Sequence, residues 1–133
     1  MSYSVNSIDA LGEGYGFRKI RKPLGVSAFG VNAIIMPPHY EGPEHYHDVQ
    51  DELYFVHRGT ATVLLDGVEH EVGEGGLVHV ESTTPRRFSN RADDDLVLLI
   101  VGGKGGYVER DGKLVDEERD LERRQSMSRG ELG

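Results

Sequence analysis

Residues Glu44–Glu52 read EHYHDVQDE, so two histidines, His45 and His47, stand two apart and a glutamate, Glu52, follows five further on. On an extended strand alternate side chains share a face, which sets the two imidazoles on one side, roughly 7 Å apart along the chain. Two imidazoles converging with one carboxylate make a donor set for a first-row divalent ion such as Fe, Mn, Ni or Zn, with coordination positions left for a substrate or dioxygen. Four more acids, Glu41, Glu44, Asp48 and Asp51, crowd the same stretch and would draw cations to its mouth. The alternative is a pair of surface histidines in an acidic loop.

The rest of the chain has to hold these residues in place. At 133 residues it has the length of one domain, with an ordinary 37% apolar content. Six runs are of strand length and rich in β-branched or aromatic residues: VNAIIM (31–36), ELYFVH (52–57), TATVLL (60–65), VEHEV (68–72), GLVHVE (76–81) and DLVLLIV (95–101). Asp66-Gly67 has the chemistry of a two-residue type I′ hairpin, and GEGG (73–76) and NRADDD (90–95) mark further turns. Many short strands with regular turns predict an all-β sandwich or small barrel over residues 1–112. After Gly112 the sequence KLVDEERDLERRQSMSRGELG is dense in helix formers and predicts a charged C-terminal helix or tail over 113–133.

A net charge of −8 argues against a general nucleic-acid binder. The one basic run, FRKIRK at 17–22, reads as a solvated strand or loop edge. No apolar stretch is long enough to cross a membrane as a helix, no secretory signal opens the chain, and there is no cysteine, so a cytoplasmic protein without disulfides is expected.

HYEGPEHYHDVQDELYFVHRG, from His39 to Gly59, resembles the first motif of the cupins: a glycine, five residues, H-x-H, three or four residues, Glu, six residues, Gly. His45, His47, Glu52 and Gly59 fit, and His39 stands where the leading glycine belongs. GEGGLVHVESTTPRRFSN resembles the second motif at Gly75, Pro85, Phe88 and Asn90, with Gly76 in place of its Asp. The resemblance runs from about residue 31 to 101. It implies an antiparallel double-stranded β-helix, a jelly-roll barrel, and a superfamily in which metal-dependent oxygenases, isomerases, epimerases and sugar-binding modules share one scaffold.

In the metal-bearing members that this chain resembles, the second motif supplies one more histidine; here that position is Arg86. A guanidinium has no lone pair to give and stays protonated. At 5 Å it would repel a divalent ion by roughly 7 kcal/mol for an effective dielectric of about 20, before the Glu52 charge offsets it. Two arrangements follow. Arg86 pairs with Glu52 or grips an anionic ligand group in a metal-free pocket, or it swings outward from an ion on His45, His47 and Glu52. His39 could bend inward as a substitute ligand; His57 and His79 fall on the opposite faces of their strands. Tyr54, on the Glu52 face, and Phe88, on the Arg86 face, are candidates to line the pocket. Asn90 reads as a turn residue and His70 as exposed. The apolar residues Leu53, Phe55, Leu64 and Leu77 face outward and suggest a homodimer. The expected function is small-molecule binding, with a metal-free acid- or sugar-binding module as the alternative.

Overall fold

The computed structural model describes residues 2–116, so the helix expected further along the tail lies outside the described residues from 117 onward. Among the described residues eleven strands form two antiparallel sheets, and this is the expected jelly-roll barrel. They are β1 (Gly16–Lys19), β2 (Gly30–Met36), β3 (Tyr40–Glu41), β4 (His45–His47), β5 (Asp51–Arg58), β6 (Ala61–Leu65), β7 (Val68–Val72), β8 (Leu77–Val80), β9 (Arg86–Asn90), β10 (Leu96–Gly103) and β11 (Gly112–Leu114). One sheet runs β1-β2-β10-β5-β8; the other runs β11-β4-β9-β6-β7, with β3 also paired to β9. One four-residue helix, α1 (Arg21–Leu24), follows β1. No helix among the described residues is long and apolar enough to cross a membrane.

Strand alternation builds the core. Ile34, Met36, Tyr54, Val56, Val63, Val78, Val80, Phe88, Leu96 and Leu98 all turn into the space between the sheets and pack as one cluster. A second cluster lies on the outer face of the first sheet. There Val31 and Ala33 are covered by Ile8, Leu11, Ile20 and Leu24 from the N-terminal segment and α1. The basic run is therefore not a solvated edge throughout. Arg18, on the same strand face as Gly16, is only 4% exposed, and its Nη2 donates to the Gly14 carbonyl at 2.7 Å.

Turn chemistry agrees with the backbone. Asp66 and Gly67 have φ of 47° and 82°, both left-handed as a type I′ turn needs. Gly59 has φ +86°, and a Cβ there would lie 2.5 Å from the Asp95 carbonyl oxygen, so a side chain would wedge the β5–β6 turn off the end of β10.

Two expectations are corrected. Lys113 and Leu114 are not the start of a helix: β11 pairs with β4, placing Leu114 opposite His45 and Gly112 opposite His47. The order of β-formers gave no warning, because a three-residue strand has too few positions to show alternation. Asn90 is more than a turn residue. It is 1% exposed at the end of β9, where its Nδ2 donates to the carbonyls of Met36, Pro37 and Asp94 and its Oδ1 accepts from the Ala92 N–H. One carboxamide thus ties the end of β2 to the β9–β10 turn. Asn90→Ala strips partners from buried carbonyls and is expected to cost about 2–3 kcal/mol in urea unfolding; a change within experimental error would show that water replaces the amide without loss.

Candidate functional site

His45 and His47 project from β4 on the same side, and Glu52 projects from the start of β5 in the other sheet. The sequence sets this up: H-x-H fixes a common face, and the short 48–50 connection folds the chain back so that the acid meets the imidazoles. The rings lie edge to face with centroids 5.3 Å apart. One donor atom from each of His45, His47 and Glu52 lies within 4.8 Å of the others, so the three form a group that could hold a metal ion. His47 and Glu52 are buried, at 7% and 8% exposure, while the His45 side chain keeps 25% and faces the mouth.

A residue that the sequence did not signal organises this group. Asp111, 64 positions from His47, accepts from His47 Nδ1 at 2.8 Å through its Oδ1. Its Oδ2 accepts the backbone N–H groups of Val49 and Gln50 at 2.7 and 3.0 Å, and Gln50 Nε2 donates to Oδ1 at 3.2 Å. Burial opposes the charge, but those N–H groups and His47 hold the Asp111 carboxyl down at about 2. Gln50 Nε2 also lies 3.2 Å from His47 Nδ1, but the shorter contact is to a carboxylate, which only accepts, so it assigns the proton to Nδ1 and leaves Nε2 as the ligating atom toward the site.

That Nε2 is buried, makes no well-aligned hydrogen bond, and stands 3.1 Å from Glu52 Oε1. The Glu52 carboxyl is held below its usual range: burial works against this, and His47 and Tyr54 outweigh it. A lone pair facing an ionised oxygen is repulsive, so a positive charge has to sit between them, either a proton on Nε2 or a bound cation. The His47 imidazole is accordingly raised above its ordinary value, with burial opposed by the hydrogen bonds and charges of Glu52 and Asp111. His45 goes the other way. Burial, helped by the Arg86 and His47 charges and resisted by Glu52, lowers it to about 4.

Arg86 makes the Glu52 pairing named in the first of its expected arrangements and does not swing outward. It is 0% exposed, opposite His45 across the β4–β9 pair. Nη1 donates to Glu52 Oε1 at 3.1 Å, and Nη2 donates to the carbonyls of Glu81 and Ser82 at 2.8 and 3.2 Å. Each terminal nitrogen thus makes at least one bond within the protein, while the buried Nε has no partner among the described residues. Tyr54 O–H donates to the same Glu52 oxygen at 2.5 Å, and its ring stacks on Phe88 at 4.0 Å. Tyr54 and Phe88 are both core residues, at 3% and 4% exposure, and only the Tyr54 hydroxyl reaches the site.

Other expectations change. His39 does not bend inward: it sits at φ +58° on the surface, with Nε2 2.7 Å from Asp93 Oδ1. That left-handed backbone is one a glycine adopts without strain, and here a histidine occupies it. The acidic mouth is also largely neutralised, because Glu41 pairs with Arg87, Asp48 with Lys113 and Asp51 with Lys104. His70 is exposed, as expected, and His57 and His79, expected on the strand faces opposite the core, are exposed too.

A sequence model of the cupin domain matches residues 32–102, more than half of the chain. The chain belongs to the cupin family. Solved structures agree on the fold. A cupin protein from Bacteroides fragilis aligns with TM-score 0.68 and 20% identity over 83% of this chain and 91% of its own. A sugar phosphate isomerase of the cupin superfamily from Silicibacter pomeroyi aligns with TM-score 0.64 and 23% identity over 87% and 86%. A DMSP lyase from Ruegeria pomeroyi aligns with TM-score 0.58 and 25% identity over 66% of this chain and 43% of its own. No curated protein matches the sequence.

The pKa of His45 generates a pH prediction. Unfolded, it titrates near 6.5; folded, at about 4. Between those values the unfolded chain binds more protons, so this contribution is complete above pH 6.5 and is lost as acid is added toward 4. The expected loss is up to about 3 kcal/mol. Urea unfolding across that range in the presence of a chelator measures it, and His45→Gln should flatten the slope; an unchanged slope would assign it to another group.

Proposed function

We propose that this cupin binds a small molecule at the barrel mouth, over a divalent ion held by His45, His47 and Glu52. The observation that carries the reading is the buried His47 Nε2, fixed from behind by Asp111 and set against the Glu52 carboxylate with no aligned partner. This is the carboxylate–histidine–metal arrangement seen from the protein side. A bound ion would supply Lewis acidity or a site for dioxygen. His45, unprotonated at neutral pH and open to the mouth, is the imidazole an incoming ligand meets first.

Arg86 acts here as a fixed counter-charge for Glu52 rather than as a clamp on the ligand, since it is fully enclosed and bound to Glu52. It replaces a fourth ligand with a positive charge, so the ion is held more weakly than by a four-ligand set and more coordination positions stay open. A bound ion that polarises a carbonyl would suit proton-transfer chemistry of isomerase or lyase type, and two structural neighbours carry those names. The same Arg86 contact favours a second reading, a metal-free module for a small acid or sugar, in which a proton on His47 supplies the missing charge.

Metal analysis and calorimetric titration of protein stripped with chelator separate the two readings. The first expects one divalent ion per chain, lost in His47→Ala, bound about 10- to 100-fold more weakly in Asp111→Ala, and bound more tightly in Arg86→His. Full occupancy in His47→Ala would place the ion elsewhere, and no uptake by the native protein would leave the metal-free module.

We propose also that a second subunit covers the β5–β8 edge of the outer face of the first sheet, clear of the N-terminal segment, where Leu53 and Leu77 are 41% and 65% exposed and Phe55 sits opposite Leu77. Leu64 belongs to the other sheet and takes no part. Light scattering at micromolar concentration should give a dimer, and Leu77→Asp should give a monomer; a monomeric native protein removes this proposal.

A further inference from the structure

A second cleft lies on the outside of the barrel, away from His45 and His47. Its volume is about 580 Å³, within the range of pockets that enclose a small metabolite. Strand register lays its floor: Ile35 of β2, Val97 of β10 and Arg58 of β5 are successive cross-strand partners on the outer face of the first sheet. Ser7–Asp9 and Gly14–Tyr15 of the N-terminal segment form the facing wall.

That wall is fastened. Ile8 and Leu11 pack on the sheet, Tyr15 O–H donates to Asp95 Oδ1 at 3.1 Å, and the buried Arg18 holds the Gly14 carbonyl from beneath. Arg18 is 4% exposed, forms no ion pair among the described residues, and its Nε has no hydrogen-bond partner among them. In the cleft itself Arg58 and Asp9 likewise form no ion pair among the described residues. The two opposite charges form no ion pair with each other, the cleft's other acid, Asp95, is engaged by Tyr15, and Ile35 and Val97 add apolar surface to the lining.

We infer that this cleft binds a small zwitterion of the amino-acid type. Its carboxylate takes the fork of Arg58, its ammonium group meets Asp9, and its side chain lies on Ile35 and Val97. Arg58 suits a carboxylate because its planar guanidinium can donate two parallel hydrogen bonds. A ligand with only one charge would leave the opposite residue of the cleft unanswered. The site is separate from the barrel mouth and does not depend on any metal there.

The test is a thermal-shift screen of the full chain against individual amino acids at millimolar concentration, followed by calorimetry on those that raise Tm. Short carboxylic acids and alkylamines serve as single-charge controls. The expected result is saturable binding of at least one amino acid, with neither control matching it. Arg58→Ala and Asp9→Asn each weaken binding by about tenfold or more. Both positions are exposed, so the variants should fold, and divalent-ion uptake should be unchanged in each. Equal binding of a simple carboxylate with no effect of Asp9→Asn would make this an anion site and overturn the zwitterion. Binding that survives Arg58→Ala, or the absence of any shift across the screen, would overturn the site altogether.

Discussion

The structure turns on the 3.1 Å approach of His47 Nε2 to Glu52 Oε1. Asp111 commits the other ring nitrogen to donating, so the charge between Nε2 and Glu52 has to come from a proton or from a metal ion. Glu52 Oε1 also accepts from Tyr54 and Arg86. Glu52 and Asp111 carry two negative charges against the single positive charge of Arg86, and one further positive charge balances the cluster. In a site this buried an imbalance is costly, because low dielectric strengthens each unpaired interaction.

Every strand around the site serves that contact. β4 and β5 come from different sheets, and the 48–50 connection between them is pinned by Asp111 through the Val49 and Gln50 N–H groups. β11 brings Asp111 there by pairing with β4, and β9 brings Arg86 opposite His45. Tyr54 couples the site to the core, because its hydroxyl holds Glu52 while its ring stacks on Phe88. The charged cluster is thus joined to the apolar cluster at one side chain, and a change in either is felt in the other.

Much of this was legible in the sequence. H-x-H on a strand put His45 and His47 on one face, the alternation Glu52, Tyr54, Val56 put the acid inward, and Asp-Gly gave the hairpin. Local period and turn chemistry are properties of neighbouring residues, and these were read correctly. Asp111 escaped because its partner is 64 residues away and an aspartate between two glycine-containing loops looks like any turn residue. His39 has the residue type of a ligand, but its place is set by a left-handed backbone, which the side chain does not advertise. The acidic mouth was misjudged for a similar reason, since Lys104 and Lys113 reach back across the fold to pair with Asp51 and Asp48. Arg86 sat at the border: its charge ruled it out as a ligand at once, but only the tertiary structure shows that it is fully enclosed and bound to Glu52.

The most direct measurement is nitrogen NMR of the His47 ring in metal-stripped protein near neutral pH, repeated as a divalent ion such as zinc is added. The account predicts an imidazolium with both nitrogens protonated in the stripped protein, and loss of the Nε2 proton alone as the ion binds. A neutral His47 with a bare Nε2 in the absence of metal would contradict it, because the contact with Glu52 would then stand with no positive charge between the two atoms.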